Sequence, residues 1–364
     1  MPAEWEPHAA TWLAWPRYQE DWPGKFGPIP WVYTEIIRNL ARYEPVELIV
    51  NDAAAERAVR KLLTRAAADL NNVRFHRWPT NRVWLRDSGC IFLTDPLADN
   101  PCRDSRPRLA KPGPASAAAA EPPLAAANFR FNAWAKYPNW RLDDKIGSLM
   151  AGTAKAAETR PLHNSTRVVL EGGSIDVNGL GTILTTEECL LSKVQQRNPG
   201  MSRKAYERMF GEYLGAPHTI WLGRGIFGDD THGHVDDLTR FVSPTTVLTM
   251  VESNSKDVNH QPLRENLRRL RAARDQNGRP LTIVEIPMPG PVVFEKRRLP
   301  ASYANFYIAN QVVLAPVFNH PHDRTALNTL AELFPARQVI PIYSGDLVWG
   351  LGTMHCMTQQ QPAV

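Results

Sequence analysis

Near its end the chain reads Trp349-Gly350-Leu351-Gly352-Thr353-Met354-His355-Cys356-Met357-Thr358-Gln359-Gln360-Gln361-Pro362. Two glycines free the backbone for positive φ or for the close approach of another group. A cysteine then sits beside a histidine, and a run of amides follows. A thiol so placed faces either a pocket or the core. Free cysteine is among the most buried residue types, so a buried residue in a C-terminal strand is the plainer reading of this stretch alone.

What changes that reading is repetition. The chain uses one unit again and again: helix, strand, a loop holding polar groups, then a strand or hairpin. The polar loops centre on Asp87, Glu171, His234, Asn305 and Cys356. They recur at intervals of about 50 to 85 residues, and the longest interval holds a Pro- and Ala-rich stretch at 95–127. That composition does not support a packed core, so it reads as a flexible insertion. Without it the intervals become similar. Repeated units at such a period suggest a closed radial array, since an open stack needs atypical end caps. The expectation is one α/β domain over 1–364, with the five loops meeting at a central site. A doubly wound parallel sheet is the competing fold, because helices and strands alternate there too.

Periodicity places the elements. Helices are expected over 31–43, 53–70, 202–214, 261–274 and 323–334. Strands are expected at 47–50, 73–75, 90–93, 219–222, 281–286 and 338–342, with hairpins at 175–184 and 239–251. Residues 1–30 hold Trp5, Trp12, Trp15 and Trp22 among prolines that include Pro2, Pro7, Pro16 and Pro23, and read as irregular, packed backbone.

Composition excludes several classes. The chain has 364 residues, 43% of them hydrophobic, enough for a full core. No stretch approaches the roughly 18–20 apolar residues of a membrane span. The N-terminus lacks a basic region followed by an apolar one, so no signal peptide is read. Cys90, Cys102, Cys189 and Cys356 form no CxxC pair, which argues against a disulfide framework or a structural zinc site. Cys90 and Cys189 read as core, and Cys102 as an exposed loop thiol. A cytoplasmic protein follows from these readings. The net charge is +5. Arg103, Arg106, Arg108 and Lys111, and the cluster Lys296-Arg297-Arg298, do not alternate with aromatics. They read as solvated surface, with no nucleic-acid partner.

The groups that would converge are Asp87, Glu171, His234, Asp236 and Cys356. Three carboxylates in one dry pocket repel one another by about 4 kcal/mol per pair at ~4 Å and an effective dielectric of 20. Such a pocket is built for a cation, and a planar guanidinium suits paired carboxylates because its N–H groups fork onto them. A cysteine and a histidine nearby allow attack on the guanidinium carbon. Other readings stand beside this one. Asp87 after Arg86 also fits a turn ion pair, and Glu171 before two glycines also fits a turn cap. His232 reads as a supporting or solvent-facing residue. His355 reads as structural, because strand alternation turns it away from Cys356. Asp229, Asp230, His232, His234, Asp236 and Asp237 have a spacing that suits Mn²⁺ in a metal-dependent ureohydrolase.

The motifs together resemble one family closely. Met1-Pro2-Ala3-Glu4-Trp5-Glu6-Pro7-His8, Trp84-Leu85-Arg86-Asp87-Ser88-Gly89, Phe131-Asn132-Ala133-Trp134, Glu171-Gly172-Gly173-Ser174-Ile175, Thr186-Glu187-Glu188-Cys189-Leu190-Leu191, Gly233-His234-Val235-Asp236, Asn305-Phe306-Tyr307-Ile308-Ala309-Asn310 and His355-Cys356-Met357-Thr358-Gln359-Gln360-Gln361-Pro362 resemble the agmatine deiminases of the guanidine-modifying superfamily. The likeness implies a five-bladed, pseudo-symmetric α/β propeller (pentein-like) with a central active site, no metal or organic cofactor, and a homodimer. It implies hydrolysis of agmatine to N-carbamoylputrescine and ammonia, a step toward putrescine and the polyamines. Cys356 is then the nucleophile and His234 the acid and base. Asp87 and Asp236 hold the guanidinium, Glu171 holds it and orients His234, and Trp84 is a candidate contact for the methylene chain. One departure bears on substrate. The family usually has Asn-Asp before Trp-x-Arg-Asp, and here the pair is Asn81-Arg82. Arg82 is thus a candidate substrate-binding residue that either repels a distal amine or pairs a carboxylate. The rival activities are a deiminase of free or peptidyl arginine, an amidinotransferase, and an inactive guanidinium binder.

Overall fold

The computed structural model describes residues 1–94 and 124–364. Among the described residues five sheets of three or four strands recur on one plan. Two strands pair antiparallel, a helix follows, and a third strand returns parallel to the second. Ile91–Thr94, Leu124–Ala127 and Ala157–Thr159 make one such sheet, with helix Ile146–Thr153 before the return. Asp176–Val177, Thr182–Thr186 and His218–Leu222 make the next, with helix Arg203–Leu214. Thr239–Ser243, Thr246–Val251 and Thr282–Pro287 follow, with helix His260–Ala272. Tyr307–Ile308, Val312–Val317 and Gln338–Tyr343 follow in turn, with helix His322–Leu333.

The remaining sheet joins the two ends of the chain. Gln359–Pro362 runs antiparallel to His8–Ala14, and Val46–Val50 and Val73–Arg77 continue in parallel across helices Ile29–Leu40 and Ala53–Arg65. This overturns the doubly wound alternative, since among the described residues the strands fall into separate sheets and not one continuous sheet. It also corrects the reading of the first thirty residues. His8–Ala14 is an internal strand lying between Pro7 and Pro16, and Trp12 and Trp22 are fully buried. The prolines flank the strand, where a missing N–H breaks no ladder.

Local chemistry explains the element ends. The Asp52 carboxylate accepts from the Ala55 N–H and starts one helix. Ser202 does the same for Ala205, and Gly215 closes that helix at φ 66°. The second helix stops at Arg65 rather than near 70, because Ala67 turns to φ 55°. The second strand of each sheet is almost wholly buried, as in Thr182–Thr186 and Val312–Val317. Such strands read as continuous apolar or β-branched runs.

The expected insertion at 95–127 needs one correction. Leu124–Ala127 is a strand, and Ala126 and Ala127 are fully buried against Phe92 and Ile91. Residues 95–123, with Cys102, Arg103, Arg106, Arg108 and Lys111, lie outside the described residues. Among the described residues no helix is long and apolar enough to cross a membrane.

The repeat fixes where the polar loops fall. Each lies just before the first strand of its sheet. Asp87 is in the turn of helix Leu85–Ser88, and Glu171 and His234 each precede a 3-10 turn. Asn305 precedes Tyr307–Ile308, and Cys356 lies in the short helix Met354–Met357 before Gln359–Pro362.

Candidate active site

Asp87 is buried, and both its oxygens accept hydrogen bonds. The Trp134 indole N–H donates to Oδ2 at 2.9 Å, and the Gly173 backbone N–H to Oδ1 at 3.1 Å. Trp134 reaches it from a strained segment. Ala133, Trp134 and Ala135 stand at φ 51°, 58° and 54°, a region that costs L-residues about 1–2 kcal/mol each. The Asn132 side chain holds the turn by accepting from the Ala135 N–H at 2.9 Å. Burial pushes the Asp87 carboxyl up to about 6, against the pull of His234, with Asp236 and Glu171 adding to the rise.

Glu171 is fully buried beside an equally buried arginine. The Arg197 Nε–H lies 3.1 and 3.3 Å from its two oxygens. The other guanidinium nitrogens donate to the carbonyls of Gln195 and Thr231 at 2.9 and 2.5 Å. Burial opposes the Glu171 charge, but Arg197, then His234, bring it down to about 2.

His234 sits among these carboxylates. Its Nδ1 is 3.8 Å from Asp87 Oδ1 and 3.9 Å from Asp236 Oδ1, and its Nε2 is 3.8 Å from Glu171 Oε2. Neither ring nitrogen makes a hydrogen bond among the described residues. Burial alone would lower its pKa. The facing carboxylate of Asp87 wins and, with Glu171, holds it well above the usual imidazole value.

The nucleophile candidate lies across the cluster. The Asn305 side-chain N–H donates to Cys356 Sγ at 3.0 Å, and Sγ is 3.6 Å from Asp236 Oδ2. Burial, then the charges of Asp236 and Asp237, pushes the thiol well above its usual value. Asp236 itself is bound by His355. Nδ1 of that ring is 2.7 Å from Asp236 Oδ2, and Nε2 is 2.9 Å from Glu4 Oε2. Glu4 is paired in turn with Arg86 and Arg240, each at 3.0 Å. Despite burial, the hydrogen bond and charge of His355 keep Asp236 below the usual carboxylate range.

Two glycines make this crowding possible. A β-carbon at Gly173 would stand 2.6 Å from His234 Nδ1 and 3.0 Å from both Asp236 Oδ2 and Asp87 Oδ1. One at Gly352 would stand 2.8 Å from the Trp84 ring and 3.2 Å from Cys356 Sγ. Gly350 and Gly352 thus serve close approach, while the positive φ of this loop falls on Leu351 at 72°.

A cavity of about 140 Å³ is lined by Cys356, Asp87, Trp84, Trp134, Asp21 and Asp230. The structure therefore brings Asp87, Glu171, His234, Asp236 and Cys356 together and puts Trp84 on the cavity wall. Arg82 is placed elsewhere. It is buried behind Asp21, to which its guanidinium is paired, and it does not line the cavity. A cation so neutralised neither repels an amine in the cavity nor reaches a substrate carboxylate, which corrects its reading as a substrate contact.

This geometry has full-length relatives. The family model of the Porphyromonas-type peptidyl-arginine deiminases matches residues 1–362. The chain belongs to that family. Agmatine deiminase of Pseudomonas syringae pv. tomato is 33% identical over 386 residues, covering 100% of this chain and 95% of the relative. Agmatine deiminase of Stutzerimonas stutzeri is 34% identical, with the same coverage. The solved structure of the Enterococcus faecalis agmatine deiminase superposes with a TM-score of 0.85 at 26% identity, covering 100% of this chain and 95% of that one.

Some residues of this deiminase-family site escaped the sequence reading. Arg197 stands in a polar stretch with no periodic signal. Trp134 was visible only as part of a motif, because its contact depends on left-handed backbone. His355 was expected to turn away, but Met354–Met357 is helical, so strand alternation does not apply. Cys189 is more than core packing. Its sulfur, a Glu171 oxygen and a His234 nitrogen lie within 4.8 Å of one another, a donor set that would accept a soft metal ion. The Arg197 guanidinium already engages both Glu171 oxygens there. The spacing suited to Mn²⁺ does not assemble. Asp229 accepts from the backbone of Gly233 and His234, Asp230 pairs with Lys136 and Tyr137, and His232 faces Ser192.

Proposed function

We propose that this protein hydrolyses the guanidinium group of agmatine to a ureido group, giving N-carbamoylputrescine and ammonia. The observation that carries the reading is a thiol and a carboxylate, Cys356 and Asp87, on the wall of one cavity, with the buried carboxylates of Glu171 and Asp236 and the His234 ring packed beside them. The full-length similarity to agmatine deiminases supports it.

The roles follow from the contacts. Asp87 and Asp236 receive the guanidinium N–H groups. The incoming cation offsets the carboxylate charges that hold Cys356 as a thiol, so substrate itself favours the thiolate. The sulfur attacks the guanidinium carbon. His234, kept protonated by its carboxylate neighbours, passes its proton to the leaving nitrogen, which departs as ammonia. An amidino thioether remains on Cys356. His234 then takes a proton from water, the hydroxyl adds to the same carbon, and the C–S bond breaks to return the thiolate and release the ureido product. Glu171, held by Arg197, faces His234 Nε2 at 3.8 Å and helps to keep the ring protonated.

We read the five sheets as the blades of one closed α/β propeller and a single domain, in which the pairing of Gln359–Pro362 with His8–Ala14 joins the ends of the chain. A cytoplasmic homodimer serving putrescine formation belongs to the same proposal, and light scattering on the purified protein tests its oligomeric state. The second reading, arginine deimination, draws on Arg297, which lies on the cavity wall. The carboxylates Asp21, Asp230 and Glu20 on the same wall favour an amine-ended substrate.

The test is ammonia release from agmatine and from free arginine, with EDTA present, by wild type and Cys356→Ala. Ammonia from agmatine that the variant fails to release supports the proposal. Activity on arginine alone replaces it with the second reading. Urea production lost to EDTA overturns the thiol mechanism.

A further inference from the structure

We infer that Asp21, held in place by Arg82, accepts the distal ammonium of the substrate and so selects amine-ended guanidines over amino-acid-ended ones. This rests on the deiminase reading of the cavity and names the group that reads the other end of the substrate.

Asp21 closes the 3-10 turn Gln19–Asp21. The next residue, Trp22, pins that turn by donating its indole N–H to the Leu347 carbonyl at 2.8 Å. Only 2% of the Asp21 side chain is exposed, yet it lines the same cavity as Cys356 and Asp87. One carboxylate oxygen, Oδ1, takes the Arg82 guanidinium. The other, Oδ2, has no hydrogen-bond donor among the described residues. Trp84 lies alongside and helps to hold the charge, but no donor reaches Oδ2. A buried acceptor left without a donor costs stability, and a ligand that supplies the donor recovers it.

The other carboxylates on the wall are differently placed. Asp230 is engaged by the Lys136 ammonium and the Tyr137 hydroxyl, with Arg297 at 3.9 Å. Glu20 is exposed to solvent, where screening weakens its pull. Asp21 is therefore the wall carboxylate that combines burial with an unused oxygen. Burial pushes its carboxyl up to about 7, although Arg82 pulls the other way. A cationic amine arriving at Oδ2 supplies the missing counter-charge and draws the group to its ionised form.

Arg82 acts through Asp21 as a positioning residue. Its guanidinium carbon is 4.3 Å from the Tyr137 ring centre and 5.2 Å from that of Tyr18. One nitrogen donates to Asn139 Oδ1 at 3.3 Å, and its backbone N–H reaches Asp143 Oδ2 at 3.2 Å. Aromatic faces and these polar contacts fix a cation whose Nη1 meets Asp21 Oδ1. The arginine thus orients a carboxylate toward the amine it would repel if it stood in the cavity itself.

Calorimetric binding to Cys356→Ser separates this inference from turnover. Agmatine is compared with 1-pentylguanidine, which carries a methyl group where agmatine carries the ammonium. Agmatine is expected to bind the tighter. Asp21→Asn in that background should weaken agmatine by about 10- to 100-fold and leave 1-pentylguanidine within about twofold. The second ligand also shows that the pocket has survived the substitution. Arg82→Met should shrink the difference between the ligands, and Arg82→Lys should restore part of it. Equal loss of both ligands, or agmatine binding unchanged in Asp21→Asn, overturns the inference. A protein that binds agmatine through Asp21 but releases no ammonia in the wild-type assay would keep this inference and remove the reaction proposed above.

Discussion

His355 Nδ1 lies 2.7 Å from Asp236 Oδ2, and that same oxygen lies 3.6 Å from Cys356 Sγ. The histidine beside the nucleophile therefore acts on it through a carboxylate. It is the link between Asp236 and a buried chain of alternating charge, Glu4 with Arg86 and Arg240. His355→Ala leaves two buried carboxylates, Asp236 and Glu4, short of a partner. Removing one member of a buried pair costs about 3–5 kcal/mol. The expected result is a clear loss of stability in chemical denaturation together with a fall in kcat. Wild-type stability in His355→Ala would show that the network contributes nothing.

The same logic applies to Glu171 with a different signature. Arg197 is the main charge that holds this carboxylate near 2. In Arg197→Met burial is no longer opposed by that charge, the Glu171 pKa rises, and stability drops by about 3–5 kcal/mol. Because the folded-state pKa is depressed, the stability Glu171 contributes is present above its unfolded value of about 4.3 and is lost as pH falls toward 2. That acid-side loss should be smaller in the variant when unfolding is followed from pH 6 to pH 3. Arg197→Lys should not restore the site, because a lysine cannot serve Glu171 and the carbonyls of Gln195 and Thr231 from one planar fork.

The pattern of these residues explains what was legible in the chain alone. Asp87, Glu171, His234, Asn305 and Cys356 were readable because each occupies the same place in a repeated unit. The helices were readable because their apolar faces recur at helical spacing. Residues acting from behind the site carry no such mark. Arg197 looks like any polar-loop arginine, and only burial against Glu171 gives it a role. Arg82 was legible as a cation near the site, but not as one turned away from the cavity onto Asp21. Leu124–Ala127 was lost because alanine-rich composition looks the same in an insertion and in a tightly packed strand. His355 was misdirected by the wrong period, since one turn of helix reverses the inference drawn from strand alternation.

Activity should depend on pH through Asp87. It binds a guanidinium only as the anion, which forms as pH rises through its value of about 6. The kcat/KM profile should therefore fall on the acid side with a limb near 6. His234 must stay protonated to serve as the acid, and its raised pKa keeps it so above the ordinary imidazole range. Trp134→Phe removes the N–H that lowers Asp87. Its acid limb should move upward while the alkaline side changes little. An acid limb unmoved in Trp134→Phe would assign that limb to another group.

The nucleophile's position should be most sensitive at a residue with no functional group. Gly352 has no room for a β-carbon, which would press on the Trp84 ring at 2.8 Å and on Cys356 Sγ at 3.2 Å. The φ of this glycine is not positive, so Gly352→Ala is a purely steric change. Relief requires either the indole or the thiol to move. A displacement of about 1 Å at a reacting atom costs on the order of 100-fold in rate. Gly352→Ala is therefore expected to lower kcat by about that factor while the folded protein remains. If Trp84 yields instead, KM rises because that ring lines the cavity, and kcat is largely kept. The split between kcat and KM in ammonia-release kinetics, read beside the melting temperature, decides which of the two side chains the backbone of this loop holds in place.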